Sequence, residues 1–300
     1  MLITPTLRFR RIIRITWRGD LLLVGVCAAA YLIDYAVFGE RLRVPGILPG
    51  LLGTAIAFFI GFNNNQAYSR WLEARSVWGS IVNDSRSWAR HVLAYLPGDA
   101  GGLTGLQHRM IYHHLAFVYA LRSALRNSPD PYYQRYLTAD DIEFVTRYAN
   151  IPNAILDLHA QSLQEASDSG FLDGFRFTAF NQLLVNFCDN MGRSERIKNT
   201  VFPATYIYFT RLCIWLFVIL STLAMADTAG AWSILFGTLL GFVFFSTHVN
   251  GLSLMNPFEA TPTCVPLDNI SRTIEINLLQ MLGNDKVPAP VQPVNNEYLL

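Results

Sequence analysis

Charged residues are scarce in this sequence. Only 15% of its 300 residues are Asp, Glu, Lys or Arg, and more than half are apolar, whereas about 25% of the residues in soluble domains are charged. The formal net charge is only +1, which leaves a nucleic-acid partner without an electrostatic basis. This composition predicts a membrane protein.

Catalytic and metal-binding motifs are also missing. The sequence has no GxSxG, P-loop, GxGxxG or HExxH motif, and its four cysteines lack CxxC spacing, so neither a disulfide framework nor a zinc site is expected. The spacing of His108, His113 and His114 does not place two of them on one helix face, as a metal would need. We therefore expect no enzyme, no metal and no cofactor.

Long apolar runs are what the sequence does have. Four stretches are long enough to cross a bilayer, and short links join them into two antiparallel hairpins. The predicted spans are 21–38, 44–62, 206–225 and 232–249. Asp34 is the only acid inside a span, and we expect its carboxylate to reach water near the membrane surface.

The segments outside the spans give the membrane orientation and further helices. Arginines in residues 1–20 indicate that both termini and the middle segment are cytosolic. The run "LRFRRIIRITWR" fits an interfacial helix and a simple basic anchor equally well. Thr138 before Asp141 is a helix-capping signature, and further helices are expected over 152–169 and 175–192. The predicted divisions are 1–20 (basic segment), 21–62 (first hairpin), 63–205 (cytosolic helices), 206–250 (second hairpin), 251–284 (NPF segment and helix) and 285–300 (extended or disordered tail).

The second span carries two stripes with a spacing of four residues. Small residues form one stripe and would allow close approach of another helix, whereas larger residues form the other. The small stripe is Gly53, Ala57 and Gly61, and the larger one is Thr54, Phe58 and Phe62. If several copies surround an axis, the rings would narrow a hydrophobic constriction. The alternative is that the rings face lipid or the protein core.

Polar residues follow this span directly. Asn63, Asn64 and Asn65 offer donors and acceptors to an ion regaining water or to neighbouring subunits, so we expect them at a pore mouth. The helix continues into "QAYSRWLEARSVWG", where Arg70 and Glu73 can pair at a spacing of three.

Four motifs in this sequence resemble the bestrophin family, and particularly its bacterial members. They are "GFNNNQAYSRWLEARSVWG", "GRSERIKNTVFP", "MNPF" and "VPLDNISRTIEINLLQMLG", and they follow the order of the family over nearly the whole chain. The resemblance implies an all-α membrane protein with four transmembrane helices, a large helical cytosolic region and a homopentamer around one pore. Its partners would be further copies of itself, the lipid bilayer and inorganic ions, in a bacterial inner membrane.

The resemblance also implies roles for individual residues. It places the pore neck at Thr54, Phe58 and Phe62, where Thr54 departs from the large apolar residues of the family and would widen or polarise the outer end. It places a second, cytosolic aperture at Phe175. Family motifs with a structural role would comprise Arg70, Trp71, Glu73, Arg75, Asn256, Pro257 and Phe258.

Calcium binding and ion selectivity differ between the animal and bacterial members of the family. Animal members carry a calcium-binding acidic run after "NPF", but this chain has only Glu259 and Asp268 there, too few carboxylates for calcium, so no calcium site is expected. Characterised bacterial members favour Na⁺ or K⁺, which we expect here, while a chloride channel like the animal members is the alternative. A membrane scaffold or a secondary transporter remains open as another class, although the hairpins show no internal repeat.

Overall fold

Nine α-helices make up most of the part of the chain that the structure, a computed structural model, describes: residues 9–39, 43–98 and 105–300. They are α1 (Phe9–Ile33), α2 (Ile47–Tyr95), α3 (Gly105–Arg126), α4 (Ala139–Thr146), α5 (Ile151–Asp168), α6 (Gly174–Asn199), α7 (Ala204–Ala229), α8 (Trp232–Leu252) and α9 (Leu267–Met281). A π-helical turn, Asp34–Phe38, follows α1, and a 3₁₀ helix, Pro131–Tyr136, precedes α4. Among these residues the only β pairing is an isolated bridge between Val294 and Tyr298, so the all-α prediction is confirmed.

The helices divide into two compact units. The membrane unit comprises residues 9–70 and Val201–Met255, and the core unit comprises Trp71–Thr200 and Asn256–Leu300. The boundary near residue 70 falls inside α2, which runs for 49 residues without a break. The prediction that this helix continues past the asparagines is therefore confirmed.

The membrane unit contains the four predicted spans. Among the described residues, four helices are long and apolar enough to cross a membrane, at Thr16–Val37, Ile47–Tyr95, Ala204–Ala229 and Trp232–Leu252, and the second of them continues into the core unit. Glycine allows close packing between α7 and α8, since a Cβ atom on Gly241 would lie 2.7 Å from Val218 Cγ2. Small residues at helix contacts are typical of membrane proteins, where the backbones must approach for the helices to associate.

The first span differs from the expectation in two respects. α1 is continuous from Phe9 to Ile33, so no break separates a helix in the membrane plane from the spanning helix. The segment 1–8 lies outside the described residues. Asp34 is only 3% exposed, so the expectation that it reaches water is wrong within the single subunit. Its carbonyl oxygen accepts the N–H of Gly39, which ends the π turn in the left-handed conformation.

The core unit is built around large aromatic side chains. Trp78, Trp88, Phe117 and Phe187 are fully buried, and the Trp88 ring lies edge-on to Phe187 with 5.9 Å between centroids. Burial of aromatic rings of this size is a large favourable term in folding.

The connections of the core unit follow the predicted signals in most places. The Thr138–Asp141 capping box is present at the start of α4, and the helices expected over 152–169 and 175–192 are α5 and α6. The break "PGDAGG" lies largely outside the described residues. The C-terminal tail folds back rather than extending away, since the Leu300 carbonyl accepts the N–H of Asn269 in α9.

A buried carboxylate fixes α9 in the core unit. Glu275 is 1% exposed and accepts hydrogen bonds from the hydroxyls of Tyr119, Tyr132 and Tyr136. Arg272 Nη1 lies 3.2 Å from Glu275 Oε2. Burial and the bond to Glu275 raise the pKa of Tyr119 and Tyr136, so both remain protonated donors. We call these five residues the Glu275 network.

Three histidines form a second buried group, which we call the histidine cluster. The ring of His159 lies 6.2 Å from that of His113 and 5.6 Å from that of His114. His113 Nε2 is 3.3 Å from Asp141 Oδ2, and His159 Nδ1 donates to the Ile155 carbonyl. Desolvation by burial lowers the pKa of all three imidazoles, that of His159 to about 3. Within the described residues no group of side chains is arranged to hold a metal.

The histidine cluster should make folding stability depend on pH. The unfolded imidazoles bind protons below about pH 6.5 while the folded ones stay neutral, so stability falls as the pH drops below that value. The slope approaches about 1.4 kcal/mol per pH unit for each histidine until its folded pKa is reached. Thermal unfolding of the purified protein at a series of pH values from neutral to acidic measures this dependence of stability on pH.

A matched pair of variants isolates the cluster. His159→Phe keeps an aromatic ring but removes a titrating group, and should flatten the slope. His108→Gln, outside the cluster on α3, should leave the slope as in the wild type. Equal slopes for wild type and His159→Phe would contradict this assignment.

Candidate pore-lining face

One stripe of α2 packs into the membrane unit. Ile56, Ile60, Asn63 and Ala67 are all at most 3% exposed, and their spacing of four, three and four residues places them on one side of the helix. Ile56 and Ile60 join a cluster with Ile214 and Val218 of α7. The orientation of α2 within the subunit follows from this stripe.

The opposite side of α2 carries the predicted neck residues. Phe58 is 72% exposed and Phe62 is 48% exposed, and Thr54 is also exposed. At 100° per residue, the three side chains lie on the side away from the buried stripe. Thr54 Oγ1 donates to the Gly50 carbonyl, so its hydroxyl is already satisfied within the helix and adds less polarity than its residue type predicts. Two large aromatic rings thus project from a subunit that does not cover them.

The small stripe is used only in part within the subunit. A Cβ atom on Gly53 would lie 2.9 Å from the Phe217 ring of α7, whereas Gly61 has no neighbouring atom this close, with nothing within 4 Å in the part of the chain described. Ala57 is exposed. The stripe therefore permits contact with α7 at its first residue and leaves room for a further helix at the other two.

The three asparagines point in different directions. Asn63 is 2% exposed and its Nδ2 donates to Thr210 Oγ1 of α7 at 3.3 Å. Asn64 Nδ2 donates to the Thr247 carbonyl of α8 at 3.2 Å. Asn65 is exposed on the same side as Phe62. Consecutive helical residues are 100° apart, so the three side chains do not share one direction, and only Asn65 lies on the side of Phe62.

Asn64 packs on a glycine of α8. Gly251 lies directly against it, and any Cβ atom at Gly251 would overlap the Asn64 amide. The amides of Asn63 and Asn64 therefore connect α2 to α7 and α8 at the end of the apolar stretch. Their role in the subunit is to hold the helix that carries the two rings.

The first motif residues after the asparagines are bound inside the core unit. Glu73 pairs with Arg196 at 2.8 Å and lies 3.9 Å from Arg193, both on α6, so the expectation that Arg70 is its partner is wrong. Trp71 Nε1 donates to the Thr263 carbonyl at 2.8 Å. Arg75 is half-buried on the same side of α2 as Trp71.

The NPF residues form a compact turn. Asn256 Nδ2 donates to Glu259 Oε1, the Pro257 carbonyl accepts the N–H of Val265, and Phe258 is buried in the core. Because Trp71 binds the same loop at Thr263, this motif connects α2 to the segment before α9. The contacts are structural, in line with the role that the family resemblance implies.

Phe175 lies in the first turn of α6, after the capping residue Asp173. It is 91% exposed, an unusual position for a phenylalanine in a folded subunit. Its side chain is free to contact another subunit or an aqueous passage.

Sequence reasoning missed the long-range partners of these residues. Asn63 and Asn64 donate hydrogen bonds to Thr210 and Thr247, and Glu73 forms ion pairs with Arg193 and Arg196. Each pair is separated by more than a hundred positions, and no local pattern links them. The burial of Asn63 could have been anticipated, since it follows Ile56 and Ile60 at spacings of four and three residues, which keep one face of a helix.

Comparison with known proteins points to one family. The family model described as "Bacterial/Fungal Bestrophin protein" matches residues 7–280. The chain is 31% identical over 244 residues to the voltage-dependent anion channel-forming protein YneE of Escherichia coli (strain K12), covering 81% of this chain and 79% of that protein. It is 29% identical over 301 residues to the protein of the same name from Salmonella typhi, covering 96% of each.

Solved structures agree with this finding. The crystal structure of a bacterial bestrophin homolog from Klebsiella pneumoniae superposes with a TM-score of 0.84 at 25% identity, covering 90% of this chain and 99% of that one. A second crystal structure, described only as that of a membrane protein, gives a TM-score of 0.83 at 25% identity, covering 91% of this chain and 99% of that one.

Proposed function

Because this chain belongs to the bacterial and fungal bestrophin family, we propose that it forms a passive ion channel in which five copies surround one pore. The observation that supports this most is the uncovered face of α2. Thr54, Phe58 and Phe62 lie opposite the stripe that fixes the helix in its own subunit. Copies of α2 around an axis would turn these rings inward and form a hydrophobic neck.

The rest of the proposed pore follows the same reasoning. Asn65 would stand at the inner end of the neck, and Phe175 would narrow a second, cytosolic aperture. Ala57 and Gly61 leave space on α2 for contact with a neighbouring copy. In a bacterial inner membrane, the arginines of residues 1–20 would keep both termini and the core unit on the cytosolic side.

Monovalent cations, Na⁺ or K⁺, are the permeating ions that we propose, by resemblance to bacterial bestrophins. An apolar neck has no fixed charge to choose a sign, because aromatic rings present a positive edge and a negative face. Anions are the second candidate, since the curated relatives are named voltage-dependent anion channel-forming proteins.

One experiment tests both conduction and ion sign. Purified protein is incorporated into planar bilayers under a NaCl gradient, and its oligomeric mass is measured in detergent. We expect a mass of five subunits and a reversal potential near the Nernst potential of sodium. A reversal potential near that of chloride would establish the anion alternative, and no current from a correctly assembled pentamer would favour a scaffold.

A further inference from the structure

A cleft of about 730 Å³ opens in the core unit. It lies between the end of α3, the 3₁₀ helix, the start of α5 and the end of α6, and the motif "GRSERIKNTVFP" provides its α6 side. A volume of this size is in the range of small-molecule sites. Much of the lining is apolar and comes from Leu125, Pro129, Pro131, Tyr133, Ile151 and Pro152.

Two opposite charges line this cleft without pairing. Glu195 and Lys198 are three residues apart on α6, a spacing at which such side chains commonly attract each other. Within the described residues, however, neither is within ion-pair distance of an opposite charge. The remaining acid, Asp130, is already paired with Arg122. The cleft therefore retains one positive and one negative charge that lack a partner of opposite sign.

Neutral groups hold the two charges apart. Lys198 Nζ donates to the Ala124 carbonyl and to Asn127 Oδ1. Glu195 Oε1 accepts from Asn150 Nδ2 at 2.9 Å, while Asn150 Oδ1 caps α5 by accepting the N–H of Asn153. One N–H of Lys198 and Oε2 of Glu195 remain without a hydrogen-bond partner in the described part of the chain.

Partial burial makes the two unpaired charges of the cleft costly. Desolvation by burial lowers the pKa of Lys198, in keeping with the lack of a carboxylate within ion-pair distance of its ammonium among the described residues. A charge removed from water is stabilised by an opposite charge and by hydrogen bonds to the charged form. A ligand that carries a positive and a negative charge close together would give Glu195 and Lys198 each an opposite charge and a hydrogen bond.

We propose that this cleft binds a free zwitterionic amino acid, with its carboxylate on Lys198 and its ammonium on Glu195. The apolar lining would hold the side chain, so an amino acid such as leucine should bind more tightly than glycine. The site lies wholly in the core unit, and its existence does not depend on channel activity. It would act on α6, the helix that also carries Phe175.

Matched small molecules test the need for both charges. The thermal unfolding midpoint of the purified full chain is measured with leucine, with 4-methylpentanoate, which lacks the ammonium, and with 3-methylbutylamine, which lacks the carboxylate. At equal ionic strength, leucine should raise the midpoint as a ligand of the folded state does, and more than glycine. Equal protection by either analogue, or none by leucine, would overturn the proposal.

Variants assign the binding to the cleft. Glu195→Gln and Lys198→Gln each remove one charge at nearly constant shape, and each should weaken leucine binding by about tenfold or more, as loss of a charged hydrogen bond does. Lys286→Gln in the tail and Glu143→Gln on exposed α4 are the controls and should bind like wild type. Unchanged affinity for leucine in both cleft variants would contradict the site. If a variant does not fold, the comparison of leucine with its two analogues on the wild-type protein still tests the proposal.

Discussion

Replacing Phe58 and Phe62 together by alanine is expected to raise the current through the reconstituted protein, by increased conductance or open probability. Both rings lie on the uncovered face of α2. A narrow apolar passage obstructs ions because water leaves it, and smaller side chains would widen and wet it. If the barrier falls by about 1.4 kcal/mol, the rate of ion passage rises about tenfold.

Phe59→Ala is the matched control for this prediction. Phe59 is the neighbour of Phe58 in sequence, and the two rings are 6.1 Å apart. Phe59 is 45% exposed, but it lies 100° around the helix from Phe58 and lines an apolar pocket with Thr205, Tyr206 and Phe209 of α7. The same loss of ring volume there should leave the current near the wild-type level. An equal rise in both variants, or no change in a correctly assembled double variant, would count against the neck.

Replacing Glu275 by alanine is expected to destabilise the core unit more than any surface substitution. The change removes the shared acceptor of three tyrosine hydroxyls and the partner of Arg272. Breaking a buried ionic network by removing one member costs about 3–5 kcal/mol, because the remaining groups stay buried without partners. In a chain of this size that corresponds to a fall of roughly 10 °C in the apparent melting temperature.

Glu143→Ala provides the comparison for Glu275→Ala. Glu143 pairs with Arg147 on the exposed face of α4, where both side chains are largely in water, and such pairs contribute about 0–1 kcal/mol. Thermal unfolding followed by circular dichroism distinguishes the two cases. Similar melting temperatures for both variants would show that the Glu275 network adds little stability.

The sequence predicts most of the fold because the strongest signals are local. Apolar runs long enough to cross a bilayer identify the four spans, and the lack of Gly and Pro from Phe62 to Trp78 indicates that α2 continues past the asparagines. The capping box at Thr138 is likewise contained in four residues. These features need no knowledge of distant contacts.

The errors occurred where distant residues compete for a side chain. Glu73 has Arg70 within reach along its own helix, yet pairs with Arg196 of α6, because tertiary packing brings a second cation. Asn63 was expected at an opening but is buried against Thr210, since the helix period assigns it to the packed stripe. The Glu275 network combines α3, the 3₁₀ helix and α9, and no local pattern predicts that meeting.

The helical period of α2 predicts which residues share the candidate face, but it does not predict that this face is exposed in the subunit. A spacing of four places Thr54, Phe58 and Phe62 together, but an apolar circumference leaves open which side packs inward. The structure resolves this for the subunit by burying Ile56 and Ile60. What the uncovered rings surround is then decided by the assembly of several copies.

Reaction of single cysteines with a water-soluble, charged thiol reagent during current recording tests the central claim most directly. In a background with the four native cysteines replaced by alanine or serine, the reagent should alter current through channels carrying Phe58→Cys or Phe62→Cys. It should leave channels carrying Phe59→Cys unaffected, because that position faces α7. Modification of current at residue 59 but at neither 58 nor 62 would contradict a pore lined by this face of α2.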